Sequence, residues 1–81
     1  MHRLTPSPGE IWRHFRGGDY EIVTISHEPE KGMRPFVVYK GVLTGTTWHR
    51  PLDEFMGSVP SPEEPALTRV FRFEAVKTST S

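Results

Sequence analysis

The chain contains no cysteine, so it offers no disulfide bond, no thiolate metal ligand and no cysteine nucleophile. It also lacks an apolar run near the roughly 20 residues of a membrane-spanning helix, and no signal-like apolar segment follows Met1. Its formal net charge is zero, with ten basic and ten acidic side chains. A nucleic-acid-binding domain is usually clearly basic. We therefore expect a cytoplasmic protein with no membrane partner.

With 81 residues, the chain is long enough for one small domain with a single core. Residues 1–8 contain two prolines and no apolar period, which indicates a flexible N-terminal arm. Residues 9–76 should form the folded domain, and residues 77–81 should form a flexible C-terminal tail. No internal repeat is visible.

Short segments rich in β-branched and aromatic residues predict strands over residues 10–15, 20–26, 36–39, 47–50 and 68–76. Gly17-Gly18 lies between the first two segments, and this pair predicts a hairpin. Residues 27–34 and 58–65 are polar or proline-rich and should be loops. Gly41 interrupts the third apolar run, which suggests a bulge or a sharp bend there.

A short helical turn is predicted over residues 51–56, with Pro51 as its first residue. Leu52, Phe55 and Met56 then share one face at the three- and four-residue spacing of a helix. Gly57 should end the turn in the left-handed conformation. The fold class is therefore all-β: a small five-stranded SH3-like antiparallel barrel with a one-turn helix before the last strand. An OB-fold is the main rival, although it usually has longer strands and a longer helix.

Several motifs occur together and in order within residues 9–76. They are Gly9-Glu10-Ile11-Trp12-Arg13-His14-Phe15-Arg16-Gly17, Val37-Val38-Tyr39, Trp48-His49-Arg50-Pro51-Leu52-Asp53-Glu54-Phe55 and Arg72-Phe73. In this order they resemble a widespread bacterial family of small stand-alone proteins classed as a domain of unknown function. The resemblance implies an SH3-like all-β fold, and it implies no activity.

The predicted binding surface combines aromatic side chains with arginines that hold an anionic group: His14, Tyr39, Trp48, Arg50 and Arg72. Two alternatives remain open for individual members. His14 can instead be a hydrogen-bonded, partly buried histidine with Arg13 on the outer face of the sheet. Arg50 can instead pair internally with Asp53 or Glu54. Most of the large aromatic side chains are needed for the core.

No metal motif and no phosphate-binding glycine loop is present, so we expect no metal and no cofactor. No serine or threonine lies in a recognisable nucleophile context. A small enzyme remains an alternative if His14, His27 and Glu28 converge in one cleft.

These observations favour a non-enzymatic binding module whose partner is a protein or peptide. The alternative ligand is RNA or DNA, which a one-sided arginine cluster would favour: Arg3, Arg13, Arg16, Arg50, Arg69 and Arg72. The sequence leaves the oligomeric state open.

Overall fold

A computed structural model describes residues 5–28, 32 and 34–76. The described part consists mainly of short strands with one four-residue helix: β1 Ile11–His14, β2 Asp19–Glu28, β3 Arg34–Gly41, β4 Thr47–Pro51, α1 Leu52–Phe55, β5 Ser58–Pro60, β6 Arg69–Phe71 and β7 Phe73–Ala75. The predicted all-β class is confirmed. Among these residues there is no helix of the length and apolarity needed to cross a bilayer.

Five of the strands form an antiparallel sheet in the order β4-β3-β2-β1-β7, and β5 pairs with β6 in a separate two-stranded sheet. The first strand therefore lies between the second and the last strand of the chain. The helix α1 precedes the last strands, as the sequence predicts. The predicted five strands are seven in the structure, because β5 was not predicted and the predicted last strand is divided into β6 and β7.

The hairpin between β1 and β2 is confirmed. Gly17 and Gly18 have φ angles of 97° and 91°, a region that side chains with a Cβ rarely occupy. The His14 backbone N–H donates to the Gly18 carbonyl at 3.1 Å, which closes the turn. The same geometry leaves the end of β1 next to the start of β2.

The chain turns sharply at Gly41, which is one of the two predicted alternatives, whereas the bulge lies elsewhere. The register of β2 against β3 shifts between Ile22 and Thr24, so the bulge is in β2. Gly41 ends β3, and Val42 and Leu43 lie exposed in the turn that follows. An added Cβ at Gly41 would collide with the Oγ1 of Thr44, so a larger residue there would require the Thr44 side chain to move.

The predicted final strand over residues 68–76 is wrong in one respect: it is broken at Arg72. Residues before the break pair with β5, and residues after it pair with β1. The Arg72 N–H donates to the Gly57 carbonyl, and the Arg72 carbonyl accepts from the Phe15 N–H, both at 2.9 Å. Because the chain changes sheets here, the alternation of faces does not continue across the break. Phe71 is therefore exposed, while Phe73 is buried.

The predicted loop over residues 58–65 contains the strand β5. Pro60 is tolerated because β5 pairs with β6 alone in its two-stranded sheet, so one edge needs no N–H donor. Ser61-Pro62-Glu63-Glu64 forms no helix. The Ser61 hydroxyl accepts the Glu63 N–H at 3.3 Å in a local turn.

The helical turn is confirmed, but two details of its ends differ from the prediction. Pro51 has a ψ of 140°, so it is the last residue of β4 rather than the first residue of the helix. Met56 caps the helix with φ −86° and ψ −4°, and Gly57 is not left-handed. A Cβ at Gly57 would lie 3.2 Å from the Asp53 carbonyl oxygen, so a larger residue there would require the backbone to shift slightly.

The core connects β1 and β7, the first and last strands in the chain, with α1. Its buried members come from four strands and the helix: Trp12, Ile22, Val37, Tyr39, Phe55 and Phe73. The rings of Phe55 and Phe73 stack at 4.1 Å with an interplanar angle of 7°. Leu52 and Met56 pack against this cluster beside Phe55, which confirms the predicted apolar face of the helical turn.

The predicted loop over residues 27–34 is shorter at both ends than expected, because β2 reaches Glu28 and β3 begins at Arg34. The remainder of that loop lies outside the described residues, apart from Gly32. Residues 1–4 of the predicted arm and the whole of the predicted tail also lie outside them. The arm and the tail therefore stay predictions.

Candidate functional site

Four of the five predicted binding residues line one small cavity of about 140 Å³, which we call the His14 cavity. Its lining is mostly aromatic: His14, Tyr20, Tyr39, Trp48, Arg50 and Phe73. The fifth predicted residue, Arg72, is not part of this lining, but its charge acts on His14.

The strand pairing brings these side chains together. Tyr39 on β3 is directly opposite Trp48 on β4, so the two share one face of the sheet. Arg50 lies two residues after Trp48 and therefore faces the same way. His14 on β1 is directly opposite Phe73 on β7. The cavity thus lies where the face of β3 and β4 meets that of β1 and β7.

The aromatic walls are fixed by ring contacts with the core. Tyr20, Tyr39 and Phe73 form a triangle of edge-to-face pairs with centroid distances of 5.4 to 5.8 Å. The His14 ring meets Phe73 edge-on at 5.0 Å. Trp48 differs from the other aromatic residues in the lining, because 52% of it is exposed. A half-exposed indole at the mouth of a rigid pocket can stack on a ligand.

Arg50 makes two long contacts. Its Nε lies 3.4 Å from the Tyr39 hydroxyl, and its Nη1 lies 3.5 Å from the Glu54 carboxylate one helical turn along the chain. Both contacts are near the limit of hydrogen-bond geometry, and the Glu54 side chain is half-exposed. Such a pair contributes little to stability. The structure therefore orients the guanidinium and leaves most of its N–H donors available to a ligand.

Arg72 carries a buried polar atom without a partner. Its Nε is shielded from solvent and makes no hydrogen bond within the described part of the chain. A buried donor left in this state is costly, since it has lost its water and gained nothing in exchange. An acceptor supplied by a ligand would remove that cost.

The surroundings of His14 lower its pKa. Partial burial lowers its pKa most, and the positive charges of Arg72, Arg50 and Arg16 lower it further. The Nδ1 atom accepts a hydrogen bond from the Arg16 backbone N–H at 3.1 Å. Because Nδ1 is the acceptor, the neutral ring carries its proton on Nε2, and that N–H can donate to a ligand.

These groups determine which ligand charge the cavity favours. No aspartate or glutamate is among the described residues that line the cavity, and three arginines act on its histidine. Aromatic cages can bind cations, but a guanidinium in the wall makes this cavity unfavourable for one. No cluster of three or more metal-ligating side chains occurs in the described residues. The arrangement suits a small acidic group.

Other predicted residues lie away from the cavity. Arg13 pairs with Asp19 at 2.8 Å on the outer face, and Arg69 is bound to Ser58. Arg3 lies outside the described residues. The predicted one-sided cluster of six arginines is thus reduced to Arg16, Arg50 and Arg72.

The proposed convergence of His14, His27 and Glu28 is wrong. His14 is next to Gly18 before the start of β2, whereas residues 27 and 28 pair with Pro35 and Arg34 at the other end. Nine residues of extended chain separate the two positions by about 30 Å along the strand. A catalytic cleft built from these three residues does not form.

Two members of the lining, Tyr20 and Phe73, were not among the predicted site residues. The signal for Phe73 was its position after Arg72 in the Arg72-Phe73 motif. Its role becomes visible only from the pairing of β7 with β1.

Comparison with known proteins adds one positive result. No curated protein and no solved structure matches the chain significantly. One family matches residues 10–75, which include every strand of the structure. The chain belongs to the family described as Protein of unknown function (DUF1653).

Proposed function

We propose that this protein is a non-enzymatic binding module that recognises an acidic group of a protein or peptide partner in the His14 cavity. The observation that carries this proposal is the cavity lining, in which Arg50 lies with His14 and Trp48 and, among the described residues, without an acid, while burial and the charges of Arg72, Arg50 and Arg16 lower the pKa of His14. The cavity is small, so it takes one side chain or a chain terminus rather than a large ligand.

Each residue has a defined role in this proposal. Arg50 and Arg72 supply the positive charge and the N–H donors for a carboxylate. His14 donates from Nε2, and Trp48 covers the ligand at the mouth of the cavity. A protein partner is favoured over nucleic acid because the chain is neutral overall and several arginines are used internally: Arg13, Arg34 and Arg69.

The test is a titration of the protein with short peptides that carry one glutamate or one phosphotyrosine, followed by NMR chemical shifts and by Trp48 fluorescence. Both peptides have blocked termini, so the side chain is the single anionic group. We expect saturable shifts at His14 and Trp48 with at least one of the two peptides. Arg50→Gln should weaken binding by about tenfold or more, since a charged hydrogen bond contributes about 1.5–3 kcal/mol.

Arg34→Gln is the matched control, because Arg34 is an exposed arginine that is paired with Asp53 and is absent from the lining of the His14 cavity. It should leave binding unchanged. Equal losses in Arg34→Gln and Arg50→Gln would show that general charge, and not the cavity, attracts the peptide. Failure of both peptides to shift His14 would overturn the proposal.

Single-stranded nucleic acid is the second candidate, and the half-exposed Trp48 beside Arg50 favours it. Aromatic stacking combined with a positive groove is how many proteins bind single strands without reading sequence. A ten-nucleotide oligonucleotide replaces the peptides in the same titration. Binding tighter than that of the peptides, with a steep decline as salt rises, would establish this alternative.

A further inference from the structure

A second, larger depression lies close to the His14 cavity, and we call it the Phe15–Phe71 groove. It has a volume of about 800 Å³, with apolar walls from Phe15, Pro62, Val70 and Phe71. Its charged lining residues are Arg16, Glu63 and Glu74. Phe71 is 42% exposed there. An exposed phenylalanine facing other apolar walls is a feature of binding surfaces.

The groove and the His14 cavity are connected. A third depression of about 470 Å³ runs along β1 and β7; it shares His14 with the cavity and Phe15 and Glu74 with the groove. The rings of His14 and Phe15 are in contact, with centroids 4.6 Å apart. One continuous surface therefore leads from the acidic-group site to the apolar groove.

The shape of this surface suits an extended chain. It follows β7, which is the last strand of the five-stranded sheet, so its outer edge has no strand neighbour in the described residues. Extended peptides commonly add to such edges through backbone hydrogen bonds while their side chains fill pockets. The positive charges act around His14, whereas Glu74 belongs to the groove, so an acidic residue is favoured at the His14 end.

We propose that the partner presents an extended segment in which one acidic side chain enters the His14 cavity and one apolar side chain, four positions away, enters the Phe15–Phe71 groove. This inference rests on the proposed function. The spacing follows from the ring pair that separates the two subsites. With about 4 Å of contact distance on each side of the 4.6 Å ring pair, the subsites are about 13 Å apart. That is about four residues of extended chain, and residues four positions apart point to the same side of it.

The experiment compares three blocked peptides by NMR titration of the whole protein. The parent peptide has glutamate and phenylalanine four positions apart in a serine–glycine background. A second peptide has alanine for the phenylalanine, and a third has glutamine for the glutamate. We expect the alanine peptide to bind about tenfold or more weakly, because it loses a buried aromatic side chain. The parent peptide alone should shift the signals of Phe15 and Phe71.

A protein variant tests the same contact from the other side. Phe71→Ser should weaken binding of the parent peptide and leave binding of the alanine peptide unchanged. Leu67→Ser is the control, because Leu67 is also an exposed apolar residue and is absent from the walls of the groove. Peptides with the two side chains one or six positions apart should bind like the alanine peptide.

The two proposals fail in different ways. If the parent and alanine peptides bind equally well, the groove takes no part and this inference is wrong, while the His14 cavity stands. If the glutamine peptide binds as well as the parent, the acidic-group site is wrong, and with it the proposed function. An identical affinity at all spacings also overturns the two-subsite arrangement.

Discussion

At the scale of single residues, His14 gives the most direct readout of the site. Burial and the charges of Arg72, Arg50 and Arg16 lower its pKa below the ordinary value of 6.5. Removing one of these charges should allow the ring to accept a proton more easily. We therefore predict that Arg72→Gln raises the pKa of His14. The measurement is an NMR titration of the His14 ring protons between pH 4.5 and 8.5, a range of about two units on either side of the ordinary histidine value.

Arg13→Gln is the suitable control for this titration. Arg13 is adjacent in sequence, yet its guanidinium is bound to Asp19 and is not among the charges that act on His14. The pKa of His14 should be the same in this variant and in the wild type. A wild-type pKa at or above 6.5 would contradict the electrostatic description of the cavity.

The residues of the site were partly predictable from the sequence. Trp48 and Arg50 are two positions apart on a strand, so a shared face follows from the period of two. Tyr20 and Phe73 could not be assigned to the site, because their position depends on which strands pair and in which register. The internal partner of Arg13 was equally hidden, since Asp19 is brought opposite it by the hairpin.

At the scale of elements, the hairpin between β1 and β2 fixes the position of His14. Gly17 has a φ of 97°, and a Cβ there would meet nothing within 4 Å, so any cost of Gly17→Ala comes from the backbone alone. We predict a destabilisation of about 1–2 kcal/mol. Urea unfolding followed by circular dichroism measures it. Leu43→Ala, at an exposed position in the other hairpin, should change stability by less than about 0.5 kcal/mol.

The elements that the sequence did not reveal have a common cause. The segment from Thr68 to Val76 has the alternation of one strand, and nothing local shows that the chain changes sheets at Arg72. The strand β5 was hidden because Pro60 argues against a strand when neighbours are unknown. In both cases long-range pairing decided the outcome. By contrast, the Gly17-Gly18 hairpin and the helical turn are local features, and both were predicted correctly.

At the scale of the whole molecule, the stacked pair of Phe55 and Phe73 joins the helix to the last strand. Both rings are almost completely buried. Phe55→Ala should cost about 3–5 kcal/mol. A domain of this size has roughly 4–12 kcal/mol of stability in total. We therefore predict that a large part of the Phe55→Ala protein is already unfolded at 37 °C. Circular dichroism should then show little of the cooperative unfolding transition of the wild type.

The control for Phe55→Ala is Phe71→Ala, which removes a phenylalanine of the same size from a half-exposed position. It should cost less than half as much, because the ring keeps much of its contact with water in the folded state. Similar losses in the two variants would show that the Phe55–Phe73 stack is not the centre of the core.

The stability of the whole domain should also depend on pH through His14. Its pKa is lowered in the folded protein, so the unfolded chain binds more protons between the folded value and 6.5. Stability is therefore highest above pH 6.5 and falls as the pH drops through this window. We predict that the urea midpoint decreases steadily from pH 7.5 to pH 5.5. The lowered pKa of Asp19, held by its hydrogen bond to Arg13, acts below 3.8 and leaves this window unaffected.

His14→Gln separates this contribution from those of the other titratable groups. Glutamine fills a similar volume and does not titrate, so the decrease in the urea midpoint between pH 7.5 and pH 5.5 should be smaller in the variant. An unchanged slope would assign the pH dependence to other groups.

A bound acidic peptide should shift the pKa of His14 upward, because its negative charge offsets the charges of the arginines. Peptide binding should therefore take up protons and strengthen as the pH falls from 7.5 to 6.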